Sequence, residues 1–462
     1  MQSSNIGRYL AQGINTMRQD DPALYDILER EHERQMNTLS LVASCGGTDA
    51  SVMAAAGSSI VNVTAEGYPG NRYHAGCAYV DQAERLAIER ARRVFGAAYV
   101  NVQPHCASFA NHIVMQSVLR PGEAILGLAL DQGGHLTHGA PVNLSGRLFA
   151  SHTYGLAADG LIDYEQLRAQ ALQHRPRLIV CGTTSYTRVI EFDRIRAIAD
   201  EVGAFVLADI THIAGLVVAG LHPSSIDAAH FTTTCTFKQL YGPRGALILM
   251  GRDADSVSDD GKRTLAERVQ SAVFPMMQGS PEVHTIAAKA RAMGRLLEPG
   301  FRELARRIRS NADALAAAMA ARDYEVIGGG TDNHIVLFRV HPHINGLVAQ
   351  AALESCSILV NKNKIPGDLR GAQVASGVRL GTNTAALRGF GAAEMALSAQ
   401  LIDTVLRHTS VGPQGEVLVP ETVRDDVIGA VRDLCQRFPL PYAALDRHAD
   451  HHAAAHAARE FA

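Results

Sequence analysis

The sequence predicts an α/β fold with a mainly parallel central sheet and a smaller carboxyl-terminal α+β domain. Continuous apolar runs rich in Val, Ile and Leu occur in "RLIVCGTTS", "AFVLADITH" and "GALILM", and such runs are typical of strands buried on both faces. Amphipathic segments such as "DRIRAIADEVG" lie between them, with apolar residues three and four positions apart and a glycine after the last turn. Strands that alternate with helices in this way predict parallel pairing.

The chain divides into a helical arm, two domains and a tail. The amino-terminal part is polar and helix-forming, and Asp20 and Asp21 precede Pro22 as they would at a helix start. The alternation of strands and helices follows, and then a long helix, a Gly-rich break and a strand indicate the smaller domain. The predicted bounds are 1–38 for the arm, 39–290 for the large domain, 291–445 for the small domain and 446–462 for the tail.

The tail, "DRHADHHAAAHAAREFA", places three histidines at four-residue spacing, which is one face of a helix. Such a face could bind a metal through His448, His452 and His456. An Ala-rich tail of this kind is more often solvated, so we predict no metal site.

Composition excludes several classes of function. Lys and Arg total 43 against 46 Asp and Glu, without a basic stripe, so nucleic acid is not an expected partner. The amino terminus lacks the pattern of a secretory signal, and no apolar run approaches the ~18 residues that span a bilayer, so we expect a cytoplasmic protein without a membrane partner. The seven cysteines are scattered and form no Cys-x-x-Cys pair, which indicates reduced thiols.

One lysine, Lys238, lies between a threonine-rich run and a Gly-Pro-Arg-Gly turn. A lysine that forms a Schiff base must be partly uncharged and must face a carbonyl group, which pyridoxal phosphate supplies. Asp209 ends the buried run "AFVLAD", where a carboxylate can keep the cofactor's pyridine nitrogen protonated, and His212 follows three residues later. Ligands bind at the carboxyl ends of parallel strands, so we expect these residues and the turn at 183–185 at one edge of the sheet.

Further segments extend this pattern in order over most of residues 40–400. In sequence and spacing they resemble the serine hydroxymethyltransferase family, whose members are pyridoxal phosphate enzymes of fold type I. The resemblance implies a retro-aldol enzyme with an amino-acid substrate, tetrahydrofolate as a candidate co-substrate, and a homodimer with shared active sites. The segments that carry it include "AEGYPGNRY" (65–73), "GGHLTHGAPVNLSG" (133–146), "ADITHIAGLVVAG" (208–220), "TFKQLYGPRG" (236–245), "GGTDNH" (329–334), "VNKN" (360–363) and "SGVRLGT" (376–382).

The resemblance also implies roles for individual residues. Lys238 resembles the Schiff-base lysine, Asp209 the partner of the pyridine nitrogen, and Arg379 the arginine that binds the amino-acid carboxylate. Glu66 resembles the acid that handles the proton of the substrate hydroxyl, and His135 the histidine that stacks on the cofactor ring. Further cofactor contacts are implied for Ala107, Ser108, Thr184, His212 and Met277, substrate contacts for Ser44, Thr64 and His74, and folate contacts for Leu130, Leu136 and Tyr73.

Departures from the family pattern bear on the substrate. Thr64 and His74 replace two tyrosines that lie near the substrate's Cα and carboxylate, Cys45 and Gly46 replace Glu-Asn, and Phe237 replaces the histidine before the reactive lysine. Exchange of tyrosine for threonine leaves room for a methyl group beside Cα, and that space would lose packing if it stayed empty. We therefore expect cleavage of α-methylserine to alanine and a one-carbon unit, with serine and glycine as the alternative pair.

Two other interpretations stay open. The Ser-Pro-Phe segment that the family places between "VNKN" and "SG(I/V)R" is missing from "KIPGDLRGAQVASG", which favours a folate-independent aldolase that releases free formaldehyde. A non-catalytic homologue that serves as an oligomeric partner is the other, and the joint presence of Lys238, Asp209, Arg379 and Glu66 argues against it.

Overall fold

The computed structural model describes residues 4–258 and 261–443. Its helices are α1 (Asn5–Asp20), α2 (Pro22–Asn37), α3 (Ala50–Ala56), α4 (Ala78–Phe95), α5 (Ala107–Val118), α6 (Leu144–Leu148), α7 (Tyr164–His174), α8 (Phe192–Val202), α9 (Ala214–Val218), α10 (Leu265–Ser271), α11 (Val283–Leu296), α12 (Pro299–Ala320), α13 (Gly346–Ser355), α14 (Asn383–Leu387), α15 (Ala392–His408) and α16 (Glu421–Arg437). Its strands are β1 (Leu39–Ser40), β2 (Gly67–Tyr68), β3 (Asn71–Arg72), β4 (Tyr99–Asn101), β5 (Ala124–Leu128), β6 (Ala150–Tyr154), β7 (Leu178–Gly182), β8 (Phe205–Asp209), β9 (Phe231–Cys235), β10 (Ala246–Met250), β11 (Ile335–Arg339), β12 (Ile358–Leu359), β13 (Asn361–Asn363), β14 (Gly377–Gly381), β15 (Ser410–Val411) and β16 (Val417–Leu418).

The main sheet of the described chain has the strand order β4-β10-β9-β8-β7-β5-β6. Strands β6, β5, β7, β8 and β9 pair in parallel, and β10 runs antiparallel to both of its neighbours, β9 and β4. Strands β7 and β10 are buried along their whole length, as their continuous apolar runs predict, and the threonine-rich β9 between β8 and β10 is buried as completely. The predicted α/β class with a mainly parallel sheet is confirmed.

Local sequence signals account for the helix ends. The Asp21 side chain accepts a hydrogen bond from the Leu24 N–H at 3.2 Å, and Pro22 occupies the first position of α2. Gly203 ends α8 in the left-handed region with φ of 70°, which suits a residue without Cβ. The polar arm predicted before residue 39 is therefore two helices, α1 and α2.

A second core lies behind the small sheet β11-β14-β13. It is built from α12, α13, α15 and α16, and it also includes Leu39 and Leu41 from near the amino terminus. Leu39 reaches this core because β1 pairs in parallel with β12. The predicted boundary at 290/291 falls inside α11, and the four domain bounds stay a prediction.

Among the helices of the described ranges, none combines the length and apolar character needed to cross a membrane. The predicted histidine face at residues 448–456 lies outside the described residues.

Candidate active site

A cavity of about 220 Å³ lies at the carboxyl ends of the parallel strands. Strand β8 ends at Asp209, β7 ends just before Thr183, and Lys238 follows the end of β9. Carboxyl ends of parallel strands meet at one edge of the sheet, which is where the sequence predicts a ligand site. Seven of the predicted residues line the cavity, namely Ala107, Ser108, His135, Thr184, Asp209, His212 and Lys238.

Lys238 meets a histidine inside this cavity. Its Nζ lies 2.8 Å from Nε2 of His212. Burial lowers the pKa of Lys238, and the positive charges of Arg379 and Arg244 act in the same direction. Burial and the Lys238 charge also hold the pKa of His212 well below its usual range, so the imidazole is neutral. The nearby Asp209 opposes this shift without reversing it. A lowered pKa increases the fraction of the uncharged amine, which is the form that attacks a carbonyl carbon.

Asp209 is a buried carboxylate with a full set of donors. Its Oδ2 accepts from Asn111 Nδ2 at 2.8 Å and lies 3.3 Å from His138 Nε2, and its Oδ1 accepts from the Thr211 N–H at 3.1 Å. Burial alone would raise the pKa of Asp209, but the hydrogen bond and charge of His138 and the contact from Thr211 outweigh burial and hold it below its ordinary value. The carboxylate is therefore ionised, and it lines the cavity.

Gly182 is required where β7 passes Asp209. The two residues are directly paired in the parallel register, and Gly182 has a φ of 132°. A Cβ at this position would overlap the carbonyl oxygen of Asp209. The glycine thus allows the strand that leads to Thr183 and Thr184 to lie close to the carboxylate.

His135 lines the cavity close to Asp209. Its Nδ1 lies 2.8 Å from Oγ1 of Thr137, and burial lowers its pKa to about 4, so its ring is neutral at neutral pH. The Thr184 N–H donates to the carbonyl of Gly133 at 2.8 Å, and its hydroxyl donates to Gly134 at 3.1 Å. Thr184 therefore holds the Gly133–Gly134 turn that carries His135.

Arg379 approaches the same edge from β14 of the small sheet. Its Nη1 donates to the carbonyl of Thr184 at 2.6 Å and its Nη2 to Oδ1 of Asn361 at 3.1 Å, while Nε is buried and has no partner in the described part of the chain. Burial lowers the pKa of Arg379 to about 10, so the guanidinium remains charged. Arg379 does not line the cavity, but its charge acts on Lys238 and His212, which do. A buried guanidinium that has no carboxylate partner among the described residues is suited to bind an acidic ligand group.

The predicted substrate residue Ser44 lies next to this strand. Ala43, its neighbour, accepts at its carbonyl from Nε2 of His334 and from Nδ2 of Asn383, both at 3.1 Å. A Cβ on Gly381, two residues after Arg379, would overlap the backbone of Ala43. The close approach of the two segments fixes Ser44 beside the end of β14.

Ala107 and Ser108 form the first turn of α5. This helix has no side-chain cap, so its first N–H groups point at the cavity without an intrahelical partner. Helix amino termini bind anions through these N–H groups and the helix dipole. The cavity therefore has a site for a phosphate group at one end.

The hairpin β2–β3 carries Glu66 outside this cavity. Nε2 of His74 lies 3.5 Å from Oε2 of Glu66, and both side chains are more than a third exposed. Arg72 holds the hairpin from below, since it donates to the Gly67 carbonyl at 2.6 Å and forms buried ion pairs with Asp81 and Glu84. Glu66 is thus presented outward on a rigid support.

The other predicted residues also lie away from the cavity of their own chain. Thr64 is exposed just before the hairpin, and Tyr73 is 73% exposed with its ring 5.5 Å from that of Phe274. Leu130 and Leu136 are exposed on the two short helical turns that flank His135. Met277 ends the segment Ala272–Met277 and packs on the core of the large domain.

Three residues that build the site escaped the sequence prediction. Asn111 and His138 donate to Asp209 from behind the lining, and Arg244 lines the cavity with its guanidinium 4.1 Å above the ring of Phe237. The signals for them are weak: Asn111 is one of several polar residues on α5, and His138 follows His135 in "HLTH". Arg244 is the charged residue of the turn after Lys238.

The residues that line the cavity fit pyridoxal phosphate. An ionised buried carboxylate, a partly buried lysine and an uncapped helix start match the pyridine nitrogen, the aldehyde and the phosphate of that cofactor. Ligand atoms of His135, His138 and Asp209 lie within 4.8 Å of one another, a spacing that a divalent metal could also use. Those atoms already contact one another and Thr137, so the cofactor accounts better for the cluster.

A larger groove of about 700 Å³ lies beside the first turns of α7 and α8, and it has a different character. Four of its charged side chains form two pairs: Arg188 with Asp332 at 3.0 Å and Arg194 with Glu165 at 3.0 Å. It contains no lysine, histidine or cysteine among its lining residues. The smaller cavity is therefore the candidate active site.

The sheet and the cavity define the chain as a pyridoxal phosphate enzyme of fold type I. The family model of serine hydroxymethyltransferase matches residues 17–402. The chain is also 46% identical over 428 residues to Serine hydroxymethyltransferase 1 of Bordetella parapertussis, a match that covers 92% of this chain and 96% of the relative. The chain therefore belongs to the serine hydroxymethyltransferase family, which uses pyridoxal 5′-phosphate as cofactor and tetrahydrofolate as co-substrate. It is an enzyme with an amino-acid substrate.

Proposed function

We propose that this member of the family interconverts α-methylserine with alanine and a one-carbon unit, and that serine and glycine form its secondary pair. The observation that carries the proposal is Thr64, which stands where the family has a tyrosine near the substrate's Cα. Loss of the aromatic ring leaves space for a methyl group in place of the hydrogen of serine, and a methyl group that fills such a space gains about 1–3 kcal/mol of binding.

The substrate carboxylate is proposed to bind Arg379. Two of its five N–H groups are bonded to Thr184 and Asn361, which leaves Nε and one hydrogen on each terminal nitrogen for a ligand. Those contacts fix the plane of the guanidinium before substrate arrives. A bidentate contact between the substrate carboxylate and Arg379 then orients the amino acid. Its Cα–Cβ bond would face the electron-withdrawing ring of the cofactor.

Proton handling is assigned to Lys238 and Glu66. The lowered pKa of Lys238 and the neutral His212 at 2.8 Å let Nζ give up and regain a proton inside the cavity. Glu66 accepts the hydroxyl proton of the substrate as the Cα–Cβ bond breaks. Bound pyridoxal phosphate supplies the electron sink for the pair left on Cα. Asp209, held ionised by its three donors, keeps the pyridine nitrogen protonated.

The outward hairpin supports a homodimer. Glu66 is exposed and does not line the cavity of its own chain, yet it rests on the buried ion pairs of Arg72. A rigid, outward-facing carboxylate is suited to complete the site of a second copy. We therefore propose that the Glu66 of one protomer serves the cavity of its partner.

A folate-independent aldolase is the second candidate. The segment between β13 and β14 lacks the Ser-Pro-Phe run of the family. In this chain it is a turn in which Asp368 accepts from the N–H and the hydroxyl of Ser376, at 2.8 and 2.7 Å. A changed segment next to Arg379 favours release of free formaldehyde over transfer to tetrahydrofolate.

The test is product formation by the purified enzyme loaded with pyridoxal phosphate. Alanine release from α-methylserine is measured with and without tetrahydrofolate, beside glycine release from serine. Alanine formed only with folate supports the transferase, and alanine formed equally without it supports the aldolase. Brisk glycine release without alanine would return the chain to ordinary serine hydroxymethyltransferase and refute the argument from Thr64.

Two variants separate space from chemistry at this position. Thr64→Tyr restores the family residue and is expected to lower kcat/KM for α-methylserine about 10- to 100-fold while serine gains, because the ring fills the methyl space. Thr64→Val has the same shape without the hydroxyl and is expected to keep the preference for α-methylserine. Equal ratios of the two substrates in all three proteins would contradict the proposal.

A further inference from the structure

One lysine in the core of the large domain is not used by the mechanism. Lys289 lies on α11 and is 1% exposed. Its Nζ donates to three backbone carbonyls, those of Val102 at 2.6 Å, Ala246 at 3.0 Å and Pro104 at 3.1 Å. Across residues 4–258 and 261–443, no carboxylate lies within ion-pair distance of this nitrogen. A buried ammonium without a carboxylate is costly, so its presence needs a physical reason.

The three carbonyls belong to the place where the main sheet opens. Strand β4 pairs with β10 only from Tyr99 to Asn101, and the chain then leaves the ladder towards α5. Pro104 has no N–H and cannot continue the pairing. Beyond this point the Pro104 carbonyl still accepts from the Ala246 N–H at 3.1 Å. Lys289 supplies a second donor to that carbonyl and a side-chain donor to the carbonyls of Val102 and Ala246.

Both segments held in this way lead directly to the cofactor cavity. Val102 and Pro104 precede Cys106 and the first turn of α5, which is the phosphate end of the cavity. Ala246 follows Gly245, which lines the cavity and closes the turn after Lys238. A Cβ on Gly245 would overlap the end of the Lys289 side chain, so the lysine also packs directly under this turn.

The number of acceptors matches the charged form of the lysine. An ammonium has three N–H donors, one for each carbonyl, whereas a neutral amine has two. Burial lowers the pKa of Lys289 to about 7, and the charges of Glu282 and Glu84 act against burial. The three carbonyl oxygens also favour the protonated state, because each accepts an N–H. Backbone carbonyls at these distances also form the kind of cage that binds a monovalent metal cation in other proteins.

We propose that Lys289 is an internal cation that joins the segment before α5 to the segment after Lys238, and so positions the phosphate end of the cofactor cavity. It is a positioning residue, since it does not line the cavity. The proposed role of Lys289 depends on binding of pyridoxal phosphate and not on whether the substrate is α-methylserine. A negative result for Lys289 and a negative result for α-methylserine can therefore be told apart.

The experiment measures affinity for pyridoxal phosphate by titration of the apoprotein, and its thermal midpoint, in potassium chloride and in tetramethylammonium chloride at equal ionic strength. Lys289→Ala is expected to bind the cofactor about tenfold more weakly or worse in tetramethylammonium, because the carbonyls of Val102 and Ala246 lose their side-chain donor and that of Pro104 keeps only the Ala246 N–H. Potassium, which fits a carbonyl cage, should restore most of the affinity and raise the thermal midpoint. The parent protein should show neither difference between the salts.

Two controls complete the design. Lys289→Met fills the space with an apolar side chain of similar length, so it should keep the fold, lose cofactor affinity and gain nothing from potassium. Met293→Ala, one turn further along α11 and fully buried, makes a cavity without removing a cation. It should lower the thermal midpoint without any difference between the salts.

Two results would overturn the proposal. If Lys289→Met folds and binds the cofactor as tightly as the parent, the lysine does not position the cavity. If Lys289→Ala loses affinity for pyridoxal phosphate equally in both salts, the three carbonyls do not need a bound cation to position the cavity.

Discussion

Replacement of Arg379 by lysine isolates the geometry of the guanidinium from its charge. Arg379→Lys keeps the positive charge but cannot bond to Thr184 and Asn361 while it also contacts a carboxylate with two parallel N–H groups. Loss of one charge-assisted hydrogen bond costs about 1.5–3 kcal/mol, because donor and acceptor are both ionised. The expected fall in kcat/KM for the amino acid is therefore about 10- to 150-fold, at about 1.4 kcal/mol per factor of ten.

The assay is steady-state cleavage of α-methylserine and of serine, with affinity for pyridoxal phosphate measured in parallel. The cofactor affinity should change little, because Arg379 lies on the small sheet and does not line the cavity. Arg339→Lys is the matched control: this arginine lies on the neighbouring strand β11 and forms an exposed ion pair with Glu325. It should leave kcat/KM within about twofold, since exposed pairs contribute little. A value for Arg379→Lys within about threefold of the parent would refute the assignment of the carboxylate site.

Two further predictions concern Asp209 and the buried histidines. Asp209→Asn keeps the shape of the side chain and the acceptor for Thr211 but removes the negative charge, so kcat should fall about 10²- to 10³-fold. A fall of less than tenfold would argue that the carboxylate does not keep the pyridine nitrogen protonated. Burial lowers the pKa of His334 to about 3, while a histidine in the unfolded chain has a pKa near 6.5. The contribution of His334 to the free energy of unfolding is therefore complete above pH 6.5 and is lost as the pH falls towards 3. His334→Gln should flatten this dependence in urea unfolding between pH 7 and 4.5, and an unchanged slope would contradict it.

Much of the fold and site follows from short stretches of sequence. Strands β7, β8 and β10 are continuous apolar runs. The edge where Asp209 and Lys238 meet follows from parallel pairing, because each residue comes at or just after the end of its strand. These predictions need only local periodicity and one rule of sheet topology. For the same reason the seven predicted cavity residues come from five separate segments of the chain but line one space.

The parts that sequence does not predict depend on contacts between distant segments. Asn111 donates to Asp209 because α5 packs its polar position against the sheet, and helical spacing alone does not reveal which position faces that strand. Lys289 reads as one more charged residue on an amphipathic helix, and its burial follows from three carbonyls far away in the chain. The position of Glu66 outside its own cavity depends on the orientation of the hairpin, which the motif does not encode.

The attachment of Ala43 to the small domain has a consequence for synthesis of the chain. Nδ2 of Asn383 donates to the Ala43 carbonyl across 340 positions of sequence. A ribosome that adds 5–20 residues per second needs roughly 17–70 s to make the intervening chain. During that time Leu39 and Leu41, which are buried in the finished core, have no partner strand and are open to chaperones or to wrong contacts. The segment that carries Ser44 is among the first parts of the site to be synthesised and among the last to be held in place.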